Sequence, residues 1–213
     1  MNAPATQIRK GRKYDQVLAG ARDVFLRAGF EGASVDDIAR AAGVSKATLY
    51  SYFADKHQLF TVVARTECER MSDETLQMID MDRPPREVMV RVAKKIVSFL
   101  VSGFAQRVFR ICVAEADRFP ELGKQFYEAG PKLGRQRTEA YLRMAAERGE
   151  LAIDDFPLAA EQFAELCKAD LWNKAAFGIQ TDFSDAEIER VAAGAVDMFM
   201  ARYGVELTDE QLQ

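Results

Sequence analysis

The chain has 213 residues, 48% of them hydrophobic, and a formal net charge of −4, which is enough apolar material for the core of one large domain or two modest ones and excludes a disordered chain. Its apolar runs are cut by charge well short of the ~20 residues a membrane span needs, and MNAPATQIRKGRKY has no apolar signal core, so a cytoplasmic location is expected. Three cysteines, Cys68, Cys112 and Cys167, are odd in number and far apart, which leaves out a disulfide framework and a CxxC metal site and reads as buried small hydrophobes.

The N-terminal Arg9, Lys10, Arg12 and Lys13 form a basic arm, expected to be flexible over 1–13, that serves either as a solubilising tail or as a contact to phosphate or a minor groove. Residues 1–60 hold nine Lys and Arg against six acids, whereas the remainder holds twenty against twenty-seven. A basic first quarter on an acidic body suits an end that meets a polyanion.

Helical period runs through almost every segment, and no stretch alternates as a strand does. Tyr14, Val17, Ala21, Val24 and Phe25 share one face of a first helix that stops near Gly29. Ser34, with Asp37 three residues on, opens a second helix on Val35, Ile38, Ala39 and Ala42, ended by Gly43. Ser45 caps a short third helix to about Ser51, and Asp55 caps a fourth through Leu59, Val62 and Val63. Longer helices follow at about 85–102, 104–118, 120–148 with a break at Gly130-Pro131, 157–177 and 184–202, the last opened by a Ser184/Glu187 capping box. With no repeat and no linker of biased composition, any domain boundary falls inside the fourth helix.

Two short helices joined by a tight turn containing Gly, the second presenting polar and aromatic groups, form a helix-turn-helix. The N-terminal residues of its second helix reach base edges in the major groove. Val44, Leu49 and Phe53 hold that helix inward, which leaves Lys46, Thr48, Tyr50 and Ser51 for DNA. Lysine donates to guanine O6/N7, threonine meets the thymine methyl or a base edge, and tyrosine stacks or donates to phosphate. His57, the single histidine, has no second histidine or nearby cysteine with which to build a nucleophile dyad or a metal set, and is expected beside a phosphate.

The stretch ASVDDIARAAGVSKATLYSYFADKHQLF resembles the DNA-binding domain of the tetracycline-repressor (TetR) family, through Gly43, Val44, Ser45, Thr48, Leu49 and Tyr50 and then Tyr52, Phe53, Lys56 and Leu59. The resemblance implies an all-α homodimer of about nine helices. Its helix-turn-helix head, placed at 14–60, stands on a larger ligand-binding and dimerisation body at 61–204, with a tail at 205–213. It implies base-edge roles for Lys46, Thr48 and Tyr50 and phosphate roles for Ser34, Ser45, Tyr52 and Lys56. Asp36 departs from the family pattern, in which some members carry a basic base-reading side chain there. A carboxylate at that place is accounted for by the helix dipole, so little base readout is expected from the second helix. Farther on, RVFRICVAEADRFPELGKQFYEAG is similar to effector domains of multidrug-efflux and membrane-stress repressors.

In the body, polar interruptions of apolar helices and a set of aromatics offer pocket-lining candidates: Phe104, Phe109, Cys112, Glu115, Phe126, Tyr127, Tyr141, Trp172, Asn173 and Phe177. Plain core packing is the alternative for the aromatics. Small residues interleaved with large ones on the last two long helices make Ala160, Phe163, Ala164, Leu166, Ala192, Ala195, Val196 and Phe199 the expected dimer interface. Glu-x-x-His pairs, the signature of a di-metal helical bundle, are absent because Ala54 stands three residues before His57. The expectation is therefore not an enzyme, with no metal or cofactor, but a ligand-responsive regulator, a repressor by preference, on double-stranded DNA with a near-palindromic operator. A constitutive DNA-binding factor without an effector, or an activator, is the alternative.

Overall fold

The structure, a computed structural model, describes residues 11–205 except 79, 81 and 118. Its regular elements there are helical, apart from one isolated antiparallel bridge between Leu151 and Gly204, so the chain is all-α. It divides into two compact units. The first runs through Glu67 and includes Ile111–Phe126; the second holds Cys68–Arg110 and the chain from Tyr127 onward.

In the first unit, α1 (Arg12–Gly32) buries Tyr14, Val17, Ala21, Val24 and Phe25, the stripe that the periodicity predicts. The helical path breaks at Gly29, whose φ of 71° suits a residue without Cβ. Arg12 and Lys13 belong to the first turn of α1 rather than to an arm, whereas Arg9 and Lys10 lie outside the described residues. Helix α2 (Val35–Ala42) starts at Ser34, whose hydroxyl accepts from the Asp37 amide at 3.0 Å, and ends at Gly43 in the left-handed region with φ 63°. Helix α3 (Lys46–Tyr52) is capped by Ser45 in the same way, through the Thr48 amide at 3.1 Å. Helix α4 (Lys56–Met78) begins where the Asp55 carboxylate accepts from the Gln58 amide at 2.8 Å, while the Gln58 side chain accepts from the Ala54 amide at 2.6 Å. The cap residues read from the sequence thus carry the hydrogen bonds that orphan helix-start amides require.

Helices α5 (Pro85–Leu100), α6 (Gly103–Ala114), α7 (Pro120–Tyr127), α8 (Leu133–Glu147), α9 (Phe156–Leu166), α10 (Leu171–Ala176) and α11 (Asp185–Tyr203) follow. A π turn at Glu128–Lys132 carries the helical path across Gly130-Pro131, so the expected break is a widened turn rather than an end. The second unit's core joins Val88, Met89, Ala93 and Val97 of α5 with Leu142 and Ala145 of α8, Ala159, Ala160 and Phe163 of α9, and Ala192, Ala195, Val196 and Phe199 of α11. Helix α11 opens with the Ser184/Glu187 capping box. Hydrogen bonds from Gln180 and then Ser184 hold the Glu187 carboxyl down at about 2.

One expected helix, 157–177, is two. Between α9 and α10 the Leu171 amide donates to the Ala169 carbonyl at 2.7 Å across Asp170, which sits at φ 61°, ψ −61°. That is a strained tight turn on a residue with a Cβ. Lys174, at 2.6 Å, and Arg190 of α11 both grip the Asp170 carboxylate, and these hydrogen bonds lower its pKa. With the split, and with α7 to α8 taken as one run, the described residues hold ten helical runs where about nine were expected. No single helix among the described residues is long and apolar enough to cross a membrane.

Gly20, in the middle of α1, lies against the end of α2: a Cβ there would lie 2.6 Å from the amide nitrogen and 2.8 Å from the Cα of Ala42. Both are backbone atoms and cannot turn aside. Gly20→Ala is therefore expected to destabilise the first unit by about 1–3 kcal/mol despite alanine's better helix propensity; thermal unfolding monitored by circular dichroism checks it, and an unchanged or raised midpoint would contradict the close packing.

Candidate nucleic-acid interface

Helix α3 is seven residues long, and its inner side is anchored by Leu49 and Phe53, both fully enclosed. The Phe53 ring stacks on Tyr14 of α1 at 5.3 Å, and Tyr52 meets the same Tyr14 edge-on at 5.6 Å. This anchoring turns the other side outward. Lys46, Tyr50 and Ser51 are exposed, Tyr50 with half of its surface open, and Thr48 is half-exposed. The outward side therefore carries an ammonium, hydroxyls and a phenol within two helical turns, the groups that hydrogen-bond base edges and phosphates.

Several of these groups already have partners. The Ser45 and Thr48 hydroxyls lie 2.9 Å apart, and Ser51 donates to the Thr48 carbonyl at 2.6 Å. The Ser34 hydroxyl donates to the Asp37 carboxylate at 2.5 Å, which also takes Arg40 at 2.7 Å. Lys46 reaches back to α2, its ammonium 2.6 Å from the Asp36 carboxylate, and that hydrogen bond, followed by the charge of Asp36, raises the lysine's pKa. Asp36 is thus more than a residue tolerated by the helix dipole: it touches the side chain at the front of α3. Nothing in the sequence spacing of the two residues signals this, since they sit on different helices.

Three expected DNA contacts are placed differently from the sequence reading. Tyr52 is half-buried against Tyr14 and Phe53 rather than open beside Tyr50, because its position on α3 faces α1. The Lys56 ammonium donates to the Phe30 carbonyl at 2.8 Å and lies 4.4 Å from the Phe30 ring centroid, so it caps a carbonyl near the end of α1. His57 is half-buried between Phe30, at 4.7 Å, and Phe119, at 4.0 Å. Phe119 comes from the 111–126 stretch, remote in sequence, which explains why the first unit is larger than the contiguous 14–60 head.

The body candidates also separate. Phe109 and Trp172 meet edge to face at 5.1 Å, and Lys168 lies 5.7 Å over the Trp172 ring. Phe104 is half-buried within the second unit; Cys112 is buried and Glu115 and Phe126 half-buried within the first. Tyr141 is core beside Leu142 and Ala145, and burial pushes its phenol up to about 12. Tyr127 and Asn173 are exposed, and Phe177 is 80% exposed just past the end of α10, so these three line no enclosed space.

Most of the expected dimer residues are inside the chain. Ala160, Phe163, Ala192, Ala195, Val196 and Phe199 pack in the second unit's own core, and only Ala164 and Leu166 are half-exposed. Helix α11 has two faces rich in small residues, and periodicity alone does not tell which one meets its own chain. The outward one carries Ala193, Gly194, Met198 and Ala201. Beside it a groove of about 580 Å³ runs between α9 and α11, lined among others by Leu158, Gln162, Leu166, Ala169, Met198 and Tyr203.

A family profile described as bacterial regulatory proteins, tetR family, matches residues 17–63, and a second, described as the C-terminal domain of AefR-like transcriptional repressors, matches residues 87–205. The protein belongs to the TetR family. A solved TetR-family transcriptional regulator from Mesorhizobium loti is 28% identical and superposes with a TM-score of 0.85, covering 93% of this chain and all of that one. The flavonoid-responsive regulator FrrA is 31% identical with a TM-score of 0.72 over 93% of this chain and all of its own. The transcriptional repressor AcnR of Corynebacterium efficiens is 38% identical over 58 residues, 27% of this chain and 31% of AcnR. The chain thus spans about a third of the curated relatives' length. The relatives are transcriptional regulators, not enzymes.

Because its ammonium is committed to Phe30, Lys56 is expected to act on stability rather than on DNA. Lys56→Met should lower unfolding stability by about 1 kcal/mol and leave the salt dependence of DNA affinity unchanged; a shallower salt slope at unchanged stability would return Lys56 to the phosphate contacts.

Proposed function

We propose that this TetR-family regulator is a ligand-responsive repressor that binds a near-palindromic operator as a homodimer. The observation that carries the reading is the outward side of α3, where Lys46, Thr48 and Tyr50 stand on a short helix anchored from behind by Leu49 and Phe53. Set in a major groove, Lys46 donates to guanine, Thr48 meets a base edge and Tyr50 a base or phosphate. Ser34, Ser45 and Ser51 approach the backbone, and Arg12 and Lys13 add positive charge at the start of α1. A twofold dimer presents two such helices one DNA turn apart, about 34–36 Å, which is why its operator repeats in inverted order.

The outward face of α11 with the α9 groove is the surface for the second copy. Gly194 and Ala201 allow backbones to approach, and Leu158 and Met198, both more than half exposed, supply the apolar area. The effector is a small apolar or amphipathic molecule taken up by the second unit. Since FrrA is by name flavonoid-responsive and similar through its whole length, flavonoids are the first class to screen. Helix α4 carries residues of both units, so a ligand that prefers one state of the body acts on the head through an unbroken helix. It does so only to the extent that its affinity differs between the two states. The protein acts in the cytoplasm, where the DNA is.

Selection of bound sequences from random DNA, at stated salt, tests the function. A near-palindrome is expected, with Lys46→Ala relaxing preference roughly tenfold or more at one base position; recovery of no motif, with binding that vanishes at moderate salt, would mean only nonspecific attraction. For the dimer, Met198→Glu is expected to give a folded monomer by sedimentation that has lost operator binding. A dimer that survives this change would move the interface elsewhere.

A further inference from the structure

Asp36 and Lys46 form a feature that the family reading of α3 leaves unexplained. Asp36 is the second residue of α2, Lys46 the first of α3, and their charged ends are 2.6 Å apart with both side chains more than half exposed. The neighbouring Asp37 already serves the α2 start, taking the Ser34 hydroxyl and Arg40, so the cap does not need a second acid. An exposed ion pair contributes little to stability, and a carboxylate on a DNA-facing surface is repelled by every phosphate. Its place beside the foremost base-reading lysine therefore calls for a partner in the groove.

Such a partner exists in one base pair. In the major groove a G·C pair offers the guanine O6 and N7 acceptors directly beside the cytosine N4 amino donor. Lysine suits the first and aspartate the second. We infer that Asp36 and Lys46 together read a single C·G pair in each half-site, Lys46 donating to guanine O6 or N7 and Asp36 accepting from cytosine N4. The inference rests on the placement of α3 in the major groove and adds a residue of α2 to the base readers. The ion pair keeps the two side chains side by side before DNA arrives, so less ordering is left for the moment of binding. The acid also acts against wrong partners: a thymine O4 or guanine O6 at the cytosine position would set an acceptor against the carboxylate.

The experiment is selection from random DNA followed by affinity measurement on the selected site and on single-position variants, for the wild type, Asp36→Ala, Asp36→Asn, Lys46→Ala and the double alanine variant, each checked for an unchanged unfolding midpoint. The expected result is one C·G position per half-site whose preference falls roughly tenfold in each of the four variants, at that same position, with the double variant no worse than the single ones. Asp36→Asn keeps the side-chain shape, so its loss reports the carboxylate and not a disturbed helix. Two results overturn the inference while leaving the operator reading intact. In one, Asp36→Ala binds all sequences more tightly with the motif unchanged, which makes the acid merely repulsive. In the other, the Asp36 and Lys46 variants relax different positions. A wild type that selects no motif overturns the major-groove reading itself and the paired readout with it.

Discussion

Everything the exposed side of α3 presents depends on how α1 supports a helix too short to hold its own shape. Seven residues are well below the length at which an isolated helix is stable in water, so α3 exists because Leu49 and Phe53 are enclosed and because Tyr14 receives both Phe53 and Tyr52. The approach of α2 to α1 at Gly20 belongs to the same packing, since the backbone of Ala42 comes closer than any side chain would allow. From Ala42 the chain passes through left-handed Gly43 and the cap at Ser45 into α3. The position of Lys46 in space is therefore set by contacts on the far side of the helix that carries it.

A second ring system ties the first turn of α4 into this scaffold. Phe25, Phe30 and Phe60 meet with centroid distances between 5.1 and 6.0 Å, His57 lies between Phe30 and Phe119, and Lys56 closes over the Phe30 carbonyl. Two residues that look like phosphate ligands by type are here scaffold by position. The Lys56 ammonium completes the end of α1 and the His57 ring joins the stack around it, which is the economical use of amphipathic side chains on half-buried faces. The division of labour is plain: α3 and the front of α2 carry the exposed chemistry, while the start of α4 holds the rings beneath.

Much of this was legible in the sequence. The buried stripe of α1, the starts of α2, α3, α4 and α11, and the helix-turn-helix with its family resemblance follow from local rules: period, cap residues and the Gly turn need only neighbours within four residues. What failed to be legible involves distant partners. The break at Asp170 has no Gly or Pro to announce it and is held by Arg190 from another helix. The inner and outer faces of α11 both carry small residues, so Ala192, Ala195, Val196 and Phe199 read as an interface when they are core. Phe177, an aromatic of the kind that lines pockets, stands in solvent because α10 stops one residue earlier.

The sequence by itself therefore determined the helical class, the caps, the turn at Gly43 and which residue types the third helix carries, because each of these is a local property of the backbone or of adjacent side chains. Only the tertiary structure decided which of those side chains remain outside. Whether Tyr52, Lys56 and His57 stand open or pack on the scaffold, whether a small-residue stripe faces its own core or outward, and that Asp36 of one helix touches Lys46 of the next are matters of distance between segments. Such distances are set by side-chain packing across helices and are not encoded in any window of neighbouring residues.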